Sequence, residues 1–426
     1  MSRRCILVAL DWTRPGDPRI PLGHASLSAM LRSRGIDVAE VCLPANHSST
    51  SPALVVRAIL DRVDRSESDV DVAIGAYVWN EPLVTALLPR LRAVFSGRII
   101  LGGPQVTYAT NELAQLYPGV DLFVRGYAET ALASIVGDPR APLPKGVTRP
   151  HEPSREPASG DLAELPSPYS TGALPLDFAP GERRLVRWET QRGCPYRCAF
   201  CQHRDPSPEF TRIQRALADR LADEARRFVA AGAEQIAVLD PIFNLGAPAV
   251  RTLNLLRSVG FGGHLSLQCR FEALTDDFLD ALAGFDVCLE FGLQTIHDAE
   301  AHAVDRRNRI DVVEAAIERL HRRRIPYLVS LIYGLPLQTS SSFRSSVQFC
   351  LDRAVPSIRA FPLMLLRGTP LELRRHEWSL RENDDLIPAV IQSSTFTTAE
   401  WLAMSDLAAA LRFSEGRHPL RVEELE

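Results

Sequence analysis

Three cysteines carry the strongest chemical signal in this chain. Cys194, Cys198 and Cys201 stand in the run Arg192-Gly193-Cys194-Pro195-Tyr196-Arg197-Cys198-Ala199-Phe200-Cys201, a C-x3-C-x2-C spacing. Thiolates so spaced can ligate three irons of a four-iron cluster and leave the fourth iron open to a small molecule. Ordinary cluster and zinc sites close with four protein ligands and keep no open position. The missing ligand therefore points to chemistry at the metal. The competing reading is a zinc knuckle whose fourth ligand is His203, Cys269 or Cys288. Cys5, Cys42 and Cys350 read as small buried hydrophobes.

Elements that can position such a loop are legible on both sides of it. Residues 4–135 alternate short apolar runs with helical patterns: strands over Ile6–Leu10, Val38–Leu43, Val70–Ile74, Ile99–Leu101 and Leu122–Val124, and helices near 22–34, 52–64, 81–95 and 109–117. This alternation predicts an α/β domain with a doubly wound parallel sheet, its ligand outside the carboxyl ends of the strands. The loops expected there are Asp11–Leu22, Ala76–Asn80, Gly102–Gln105 and Gly126–Thr130.

Residues 137–181 are rich in Pro, Ser and Glu and read as an extended or disordered linker. From 185 the alternation resumes, with strands over Leu185–Thr190, Gln235–Leu239, Leu265–Gln268, Val287–Phe291, Tyr327–Ile332 and Ile358–Leu363. A helix over 211–231 is expected to bury Ile213, Leu217, Leu221, Ala225 and Phe228, and a later one Ile310, Val313, Ile317 and Leu320. Six β/α units predict a partial barrel with functional residues at the carboxyl ends of its strands, and the cysteines follow the first. The expected division is 1–136, a Rossmann- or flavodoxin-like domain; 137–181, a linker; 182–376, a partial (β/α)6 barrel; and 377–426, a short cap.

Composition narrows the class. The chain has 426 residues, 46% of them apolar and 23% charged, with a net charge of -4. That balance disfavours an extended nucleic-acid surface. Lys145 is the sole lysine, which reads as coding bias. The N-terminus has no signal-peptide pattern, and no run reaches the length of a membrane span. A cytoplasmic protein without membrane association is expected, in which the eight cysteines stay reduced and serve metal or catalysis.

Over roughly 185–370 these residues resemble the radical S-adenosylmethionine (SAM) superfamily. The resemblance implies a [4Fe–4S] cluster on Cys194, Cys198 and Cys201, SAM chelated at the open iron, and Phe200 near its adenine. It implies one-electron cleavage of SAM to a 5′-deoxyadenosyl radical inside a dry barrel. Further positions fit the family in order along the strand ends. Asp240, in Leu239-Asp240-Pro241-Ile242-Phe243-Asn244, stands where a Gly-Gly-Glu-like segment receives the SAM amino group. Gln268 and Arg270 follow the third strand, where a cation would meet the SAM carboxylate. Glu290-Phe291-Gly292-Leu293-Gln294-Thr295 matches a Glu-x-Gly-x-Gln/Ser segment, with Gln294 at the ribose or carboxylate. Tyr333-Gly334-Leu335-Pro336 matches the Gly-Leu-Pro turn beside adenine.

Residues 4–135 resemble the cobalamin-binding domain that precedes many radical SAM cores. Gly102, Gly103 and Pro104 after the fourth strand, and Gly126 and Glu129 in Val124-Arg125-Gly126-Tyr127-Ala128-Glu129 after the fifth, carry the resemblance. Tyr77, Trp79 and Asn80 join the same rim. Glycines there would let the backbone approach the corrin. The family's Asp-x-His-x-x-Gly motif is absent; the matching loop runs from Trp12 to Gly23, and His24 reads as a helix N-terminal residue. A cobalt face without a protein ligand would favour release of the upper methyl group. A scaffold without cobalamin is the competing reading.

The combined resemblance implies a cobalamin-dependent radical SAM enzyme, a C-methyltransferase acting on an unactivated carbon of a small or natural-product substrate. The alternatives are a non-methylating cyclisation, rearrangement or oxidation on the same cofactors, and a non-catalytic iron–sulfur or cobalamin sensor. Transfer-RNA methylthiolation would require a second cysteine trio and a basic RNA module, which the sequence lacks. A flavodoxin- or ferredoxin-type protein is the expected reductant. Arg306, Arg307 and Asn308 are read either as a grip for a carboxylate or phosphate or as a helix start.

Overall fold

The structure, a computed structural model, describes residues 4–17, 20–63, 69–109, 113–153, 156–178, 183–203 and 213–425. The expected boundary between linker and barrel at 181/182, and parts of the expected 109–117 and 211–231 helices, lie outside them. The chain divides into two compact units, Met1–Arg183 with Gln214–Ala231, and Arg184–Ile213 with Gly232–Glu426.

The first unit is built on a six-stranded sheet of order β2-β1-β3-β4-β5-β6. Its strands are β1 (Arg4–Asp11), β2 (Asp37–Pro44), β3 (Val70–Gly75), β4 (Arg98–Gly102), β5 (Leu122–Val124) and β6 (Val147–Thr148). The first five are parallel and β6 is antiparallel to β5. Side chains on β1 show why the sheet is covered twice. Ile6, Val8 and Leu10 pack with Val55, Ile59, Leu87 and Leu91 on one face, whereas Cys5 and Leu7 pack with Leu31, Leu132 and Ile135 on the other. Period-two alternation with both faces apolar requires helices on both sides. The strand order reverses at β1/β3, which makes the carboxyl end there the natural ligand crevice.

A short helix, Pro104–Thr107, follows β4, and of the helix expected over 109–117 the described residues hold Leu113–Leu116. The stretch read as a linker contributes β6 and a set of buried residues, Ala158, Leu162, Leu165 and Tyr169. Helix Ala218–Ala230 belongs to this unit, where Phe228 meets Tyr169 edge-on at 4.7 Å and Arg220 pairs with the buried Glu224 at 3.0 Å. That helix starts later than its apolar spacing predicts: Leu217 stands at its N-cap, exposed, and burial falls on Ala225 and Phe228.

The second unit holds a six-stranded parallel sheet of order β14-β13-β12-β11-β10-β7. After β7 (Leu185–Trp188) and the two-residue strand β8 (Gln191–Arg192) come β10 (Gln235–Val238) and β11 (His264–Cys269), while β9 (Gln214–Arg215) falls in the first unit. The remaining strands of the sheet are β12 (Asp286–Gln294), β13 (Tyr327–Tyr333) and β14 (Ile358–Pro362). No hydrogen bonds join β7 to β14 among the described residues, so the (β/α)6 barrel is open. On β12, Val287, Leu289, Phe291 and Leu293 are buried while Cys288, Glu290, Gly292 and Gln294 are half-buried. The first set faces the helices and the second lines the open inner face. The helix Ile310–Arg323 buries Val313, Ile317 and Leu320 as the three-and-four spacing predicts, adds Ala316, and leaves Ile310 half-buried at its first position. Beyond residue 377 a two-stranded hairpin precedes helix Thr398–Phe413, which opens on a Thr397/Glu400 capping box.

Candidate functional site

The cysteine loop in the second unit is fastened from below before any cysteine is reached. Asp240, at the end of β10 and fully buried, accepts from the backbone N–H groups of Thr190 and Gln191 at 2.8 and 3.1 Å and from the Thr190 hydroxyl. Burial pushes its carboxyl up to about 7 against those hydrogen bonds. Arg192 and Glu189 form a two-point pair at 2.7 and 3.0 Å, and Gly193 turns the chain at φ +88° into Cys194. Asn244, four residues after Asp240, exchanges two hydrogen bonds with the backbone of Arg270 at 2.8 and 3.0 Å. Neighbouring strand ends are thereby tied together by side chains that accept and donate to backbone.

Two buried cations flank the thiols. Arg270 lies with its guanidinium 4.0 Å from the centre of the Tyr196 ring and pairs with Glu272 at 3.0 Å. Arg306 places Nη1 3.7 Å from Cys198 Sγ, and its Nη2 donates to the Gly292 carbonyl. Burial pushes the Cys194 thiol up, while the Tyr196 backbone N–H and the two guanidiniums pull it down. Burial, and then Arg270, holds Arg306 below the ordinary guanidinium range. The loop is closed from above by Ala199, whose N–H donates to the Val304 carbonyl at 2.8 Å and whose carbonyl accepts from Leu371 at 3.0 Å. Phe200 is half-buried in the same turn.

The inner face of the sheet carries a polar row. Gln268 donates to Glu290 at 2.6 Å, and Ser330 donates to the other oxygen of Glu290 at 2.9 Å. Gln294, at φ +72° beside a register shift in β12, keeps its buried Oε1 without a hydrogen-bond partner among the described residues. Arg306 likewise keeps a buried Nε unpartnered among them. An acceptor and a donor left open beside the cysteine loop fit a polar ligand such as SAM, and thiols beside two guanidiniums fit an anionic cluster.

The zinc alternative does not fit. Among the described residues, the groups whose ligand atoms lie within 4.8 Å of one another comprise His24, Glu40 and Cys42, not the cysteine trio with His203, Cys269 or Cys288. A tetrahedral zinc with Zn–S of about 2.3 Å needs tighter gathering.

Of the sequence-predicted residues, Cys194, Cys198 and Arg270 lie around one loop, and Gln268 with Glu290 forms the polar row. Asp240 and Leu335 are fully buried, so neither offers a surface to a ligand. Asp240 instead fixes the backbone ahead of the cysteines, a correction forced by partners fifty residues away. Arg306 and Asn308 are neither a free anion grip nor a helix start. Asn308 donates to the Leu293 and Thr295 carbonyls at 2.7 and 2.8 Å, and Arg306 backs Cys198. Asn244 and Ser330 escaped notice, because single polar residues at strand ends carry no spacing signal.

In the first unit the loops after β1, β3, β4 and β5 meet at the carboxyl edge. Tyr77 and Trp79 stack at 4.6 Å and 14°. Trp79 keeps its buried indole N–H without a partner among the described residues, a donor suited to an amide of a corrin. Asn80 is structural: it donates to the Leu10 and Gly75 carbonyls at 2.8 and 3.0 Å and accepts from the Tyr77 N–H. Gly103, at φ +94°, would press a Cβ to 2.5 Å from the Ala76 carbonyl, and Pro104 opens the short helix behind it. Gly102 packs against Val124, and Glu129 is buried. Gly126, at φ +89°, is required by Ala158, whose carbonyl would lie 2.4 Å from an added Cβ. The expected reason, approach of a corrin, is replaced there by approach of the chain's own backbone.

Comparison with known proteins agrees with both halves. The model for the radical SAM superfamily matches residues 188–350, and that for the B12 binding domain matches residues 14–136. The chain is similar to the cobalamin-dependent radical SAM methyltransferase TokK of Streptomyces tokunonensis, 24% identical over 77% of this chain and 52% of that protein. It is also similar to the 2-(S-pantetheinyl)-carbapenam-3-carboxylate methyltransferase of Streptantibioticus cattleyicolor, 27% identical over 71% and 48%. The chain thus spans about half the length of these curated relatives. In fold it is similar to the radical SAM methyltransferase TsrM of Kitasatospora setae, solved with cobalamin and a [4Fe-4S] cluster. There the TM-score is 0.70 at 18% identity, covering 94% of this chain and 81% of that one. The cobalamin-dependent SAM radical enzyme OxsB gives a TM-score of 0.73 at 12% identity, covering 97% and 67%. The chain belongs to the radical SAM superfamily as a B12-dependent member, an enzyme whose cofactors are a [4Fe–4S] cluster, SAM and cobalamin.

Proposed function

We propose that this enzyme is a C-methyltransferase that acts on an unactivated carbon of a small or natural-product substrate. The observation that carries the reading is a cysteine trio at the carboxyl end of the first strand of an open parallel barrel, with Arg306 and Arg270 beside it. Cys194, Cys198 and Cys201 would hold the cluster. When bound, the cluster and SAM supply one-electron chemistry that removes hydrogen from carbon, and cobalamin supplies a methyl group. Asp240 and Asn244 keep the loop in place, and Arg306 offsets thiolate charge at Cys198. The Gln268–Glu290–Ser330 row and Gln294 offer fixed polar contacts on the inner face to SAM or substrate. Phe200, half-buried in the cysteine loop, completes the SAM side.

Tyr77, Trp79, Gly102, Gly103 and Pro104 would form the cobalamin rim, in a functional division that assigns 1–136 to cobalamin, 182–376 to the barrel and 377–426 to a cap. A flavodoxin- or ferredoxin-type protein would deliver electrons in the cytoplasm. No helix among the described residues is long and apolar enough to cross a membrane. Anaerobic turnover of the reconstituted chain with SAM, methylcobalamin and carbapenam-like or amino-acid substrates tests the reading. A product heavier by one methyl-for-hydrogen exchange, lost in C194A, is expected. SAM cleavage with an unmethylated, cyclised or oxidised product would overturn it.

A further inference from the structure

The first unit gathers three metal-capable side chains that the reaction leaves unused. His24 lies in the first turn of helix Leu22–Ser33, and Glu40 and Cys42 lie on β2, an edge strand of the sheet. Two residues apart on a strand, Glu40 and Cys42 share a face. The imidazole, carboxylate and thiol atoms all stand within 4.8 Å of one another. His24 Nε2 is 3.7 Å from Cys42 Sγ. That separation is one edge of a zinc tetrahedron, since Zn–N of about 2.0–2.1 Å and Zn–S of about 2.3 Å set the two ligands about 3.6 Å apart.

The carboxylate is held ready. Ser28 Oγ and Arg32 Nη2 both donate to Glu40 Oε1, at 2.6 and 3.2 Å, and Oε2 has no donor among the described residues. His24 is only 8% exposed. Burial pulls its pKa down, so it stands as the neutral imidazole that metals take. A divalent ion deprotonates the thiol that it coordinates. One thiolate and one carboxylate then neutralise the ion, which removes the main penalty for a buried charge.

We propose that His24, Glu40 and Cys42 bind a divalent transition metal of zinc type, distinct from the cluster, that clamps the first helix to the edge strand. Three protein ligands leave a fourth position for water. The site needs neither cobalamin nor SAM, so it stands or falls apart from the methyl-transfer reading.

The test uses the full chain with its cluster already reconstituted, so that the cysteine trio is occupied, dialysed against chelator-treated buffer and titrated anaerobically with Zn²⁺. One zinc per chain, beyond iron, is expected in the wild type, with loss of that equivalent in C42S and in H24A. Co²⁺ in place of Zn²⁺ should give a thiolate-to-cobalt charge-transfer band. A second measurement needs no variant: Zn²⁺ should slow alkylation of Cys42 at least tenfold in the wild type, read by mass spectrometry, and leave Cys288 unchanged. Zinc that remains bound in C42S, or alkylation of Cys42 unaffected by saturating Zn²⁺, would overturn the proposal.

Discussion

Asp240 shows how a residue's chemistry is decided by its partners. A free aspartate titrates near 3.9, and in the fold burial pushes Asp240 up to about 7. Because the folded value lies above the unfolded one, the folded chain binds the extra proton between them. Its stabilising share is full below about pH 4 and is lost as pH rises through about 7, a change of a few kcal/mol at most. D240N keeps an acceptor for the Thr190 and Gln191 N–H groups and gains a donor for the Thr190 hydroxyl. It should therefore gain stability relative to wild type as pH rises from 5 to 8, whereas D240A should lose about 1–3 kcal/mol throughout. Thermal unfolding across that range checks the pair, and a D240N difference that stays flat with pH would contradict the assignment. Arg306 makes a parallel case. R306M strands the Gly292 carbonyl and removes the cation from Cys198, so a loss of about 1–3 kcal/mol with reduced iron per chain is expected. R306K should fall between, because an ammonium cannot span both partners. Unchanged iron content and melting temperature in R306M would contradict that role.

At this scale the cysteine trio is legible as a motif, since its three residues sit within one short run, and its role as cluster ligand belongs to the proposed function. The roles of Asp240, Asn244 and Arg306 are not legible. Each depends on a partner brought alongside by the sheet, from Thr190 to Asp240 or from Cys198 to Arg306, and sequence spacing holds no record of that pairing.

Among the elements, legibility followed apolar content. All five parallel strands of the first unit and all six of the barrel were read within a few residues, because a strand covered on both faces is a short unbroken apolar run. The helix Ile310–Arg323 was equally plain. The failures lie where the pattern is thin: the late start at Ala218, and above all residues 137–181. That segment lacks periodicity yet buries Leu162 completely and passes Ala158 against Gly126. L162A should cost about 2–5 kcal/mol. G126A combines a positive φ with a Cβ 2.4 Å from the Ala158 carbonyl and should cost about 2 kcal/mol or more. G172A, also at positive φ but facing open space, isolates the backbone term at about 1–2 kcal/mol. Melting temperatures of the three variants rank them. Equal losses for G126A and G172A would remove Ala158 as the reason for a glycine at 126.

For the whole molecule, the two units divide the chemistry. The first presents a Rossmann-like edge with Tyr77, Trp79 and tight glycine turns, and the second presents an open barrel with thiols at one strand end. On the proposed reading, cobalamin supplies a methyl group and the barrel prepares a carbon to receive it. The measurement that meets this claim most directly is turnover with SAM carrying a trideuterated methyl group, under anaerobic reduction with added cobalamin. The account predicts a product bearing one trideuteromethyl group, formed together with 5′-deoxyadenosine, and neither product in C198A. Formation of 5′-deoxyadenosine with no label in the product, or label transfer that persists in C198A, would contradict it.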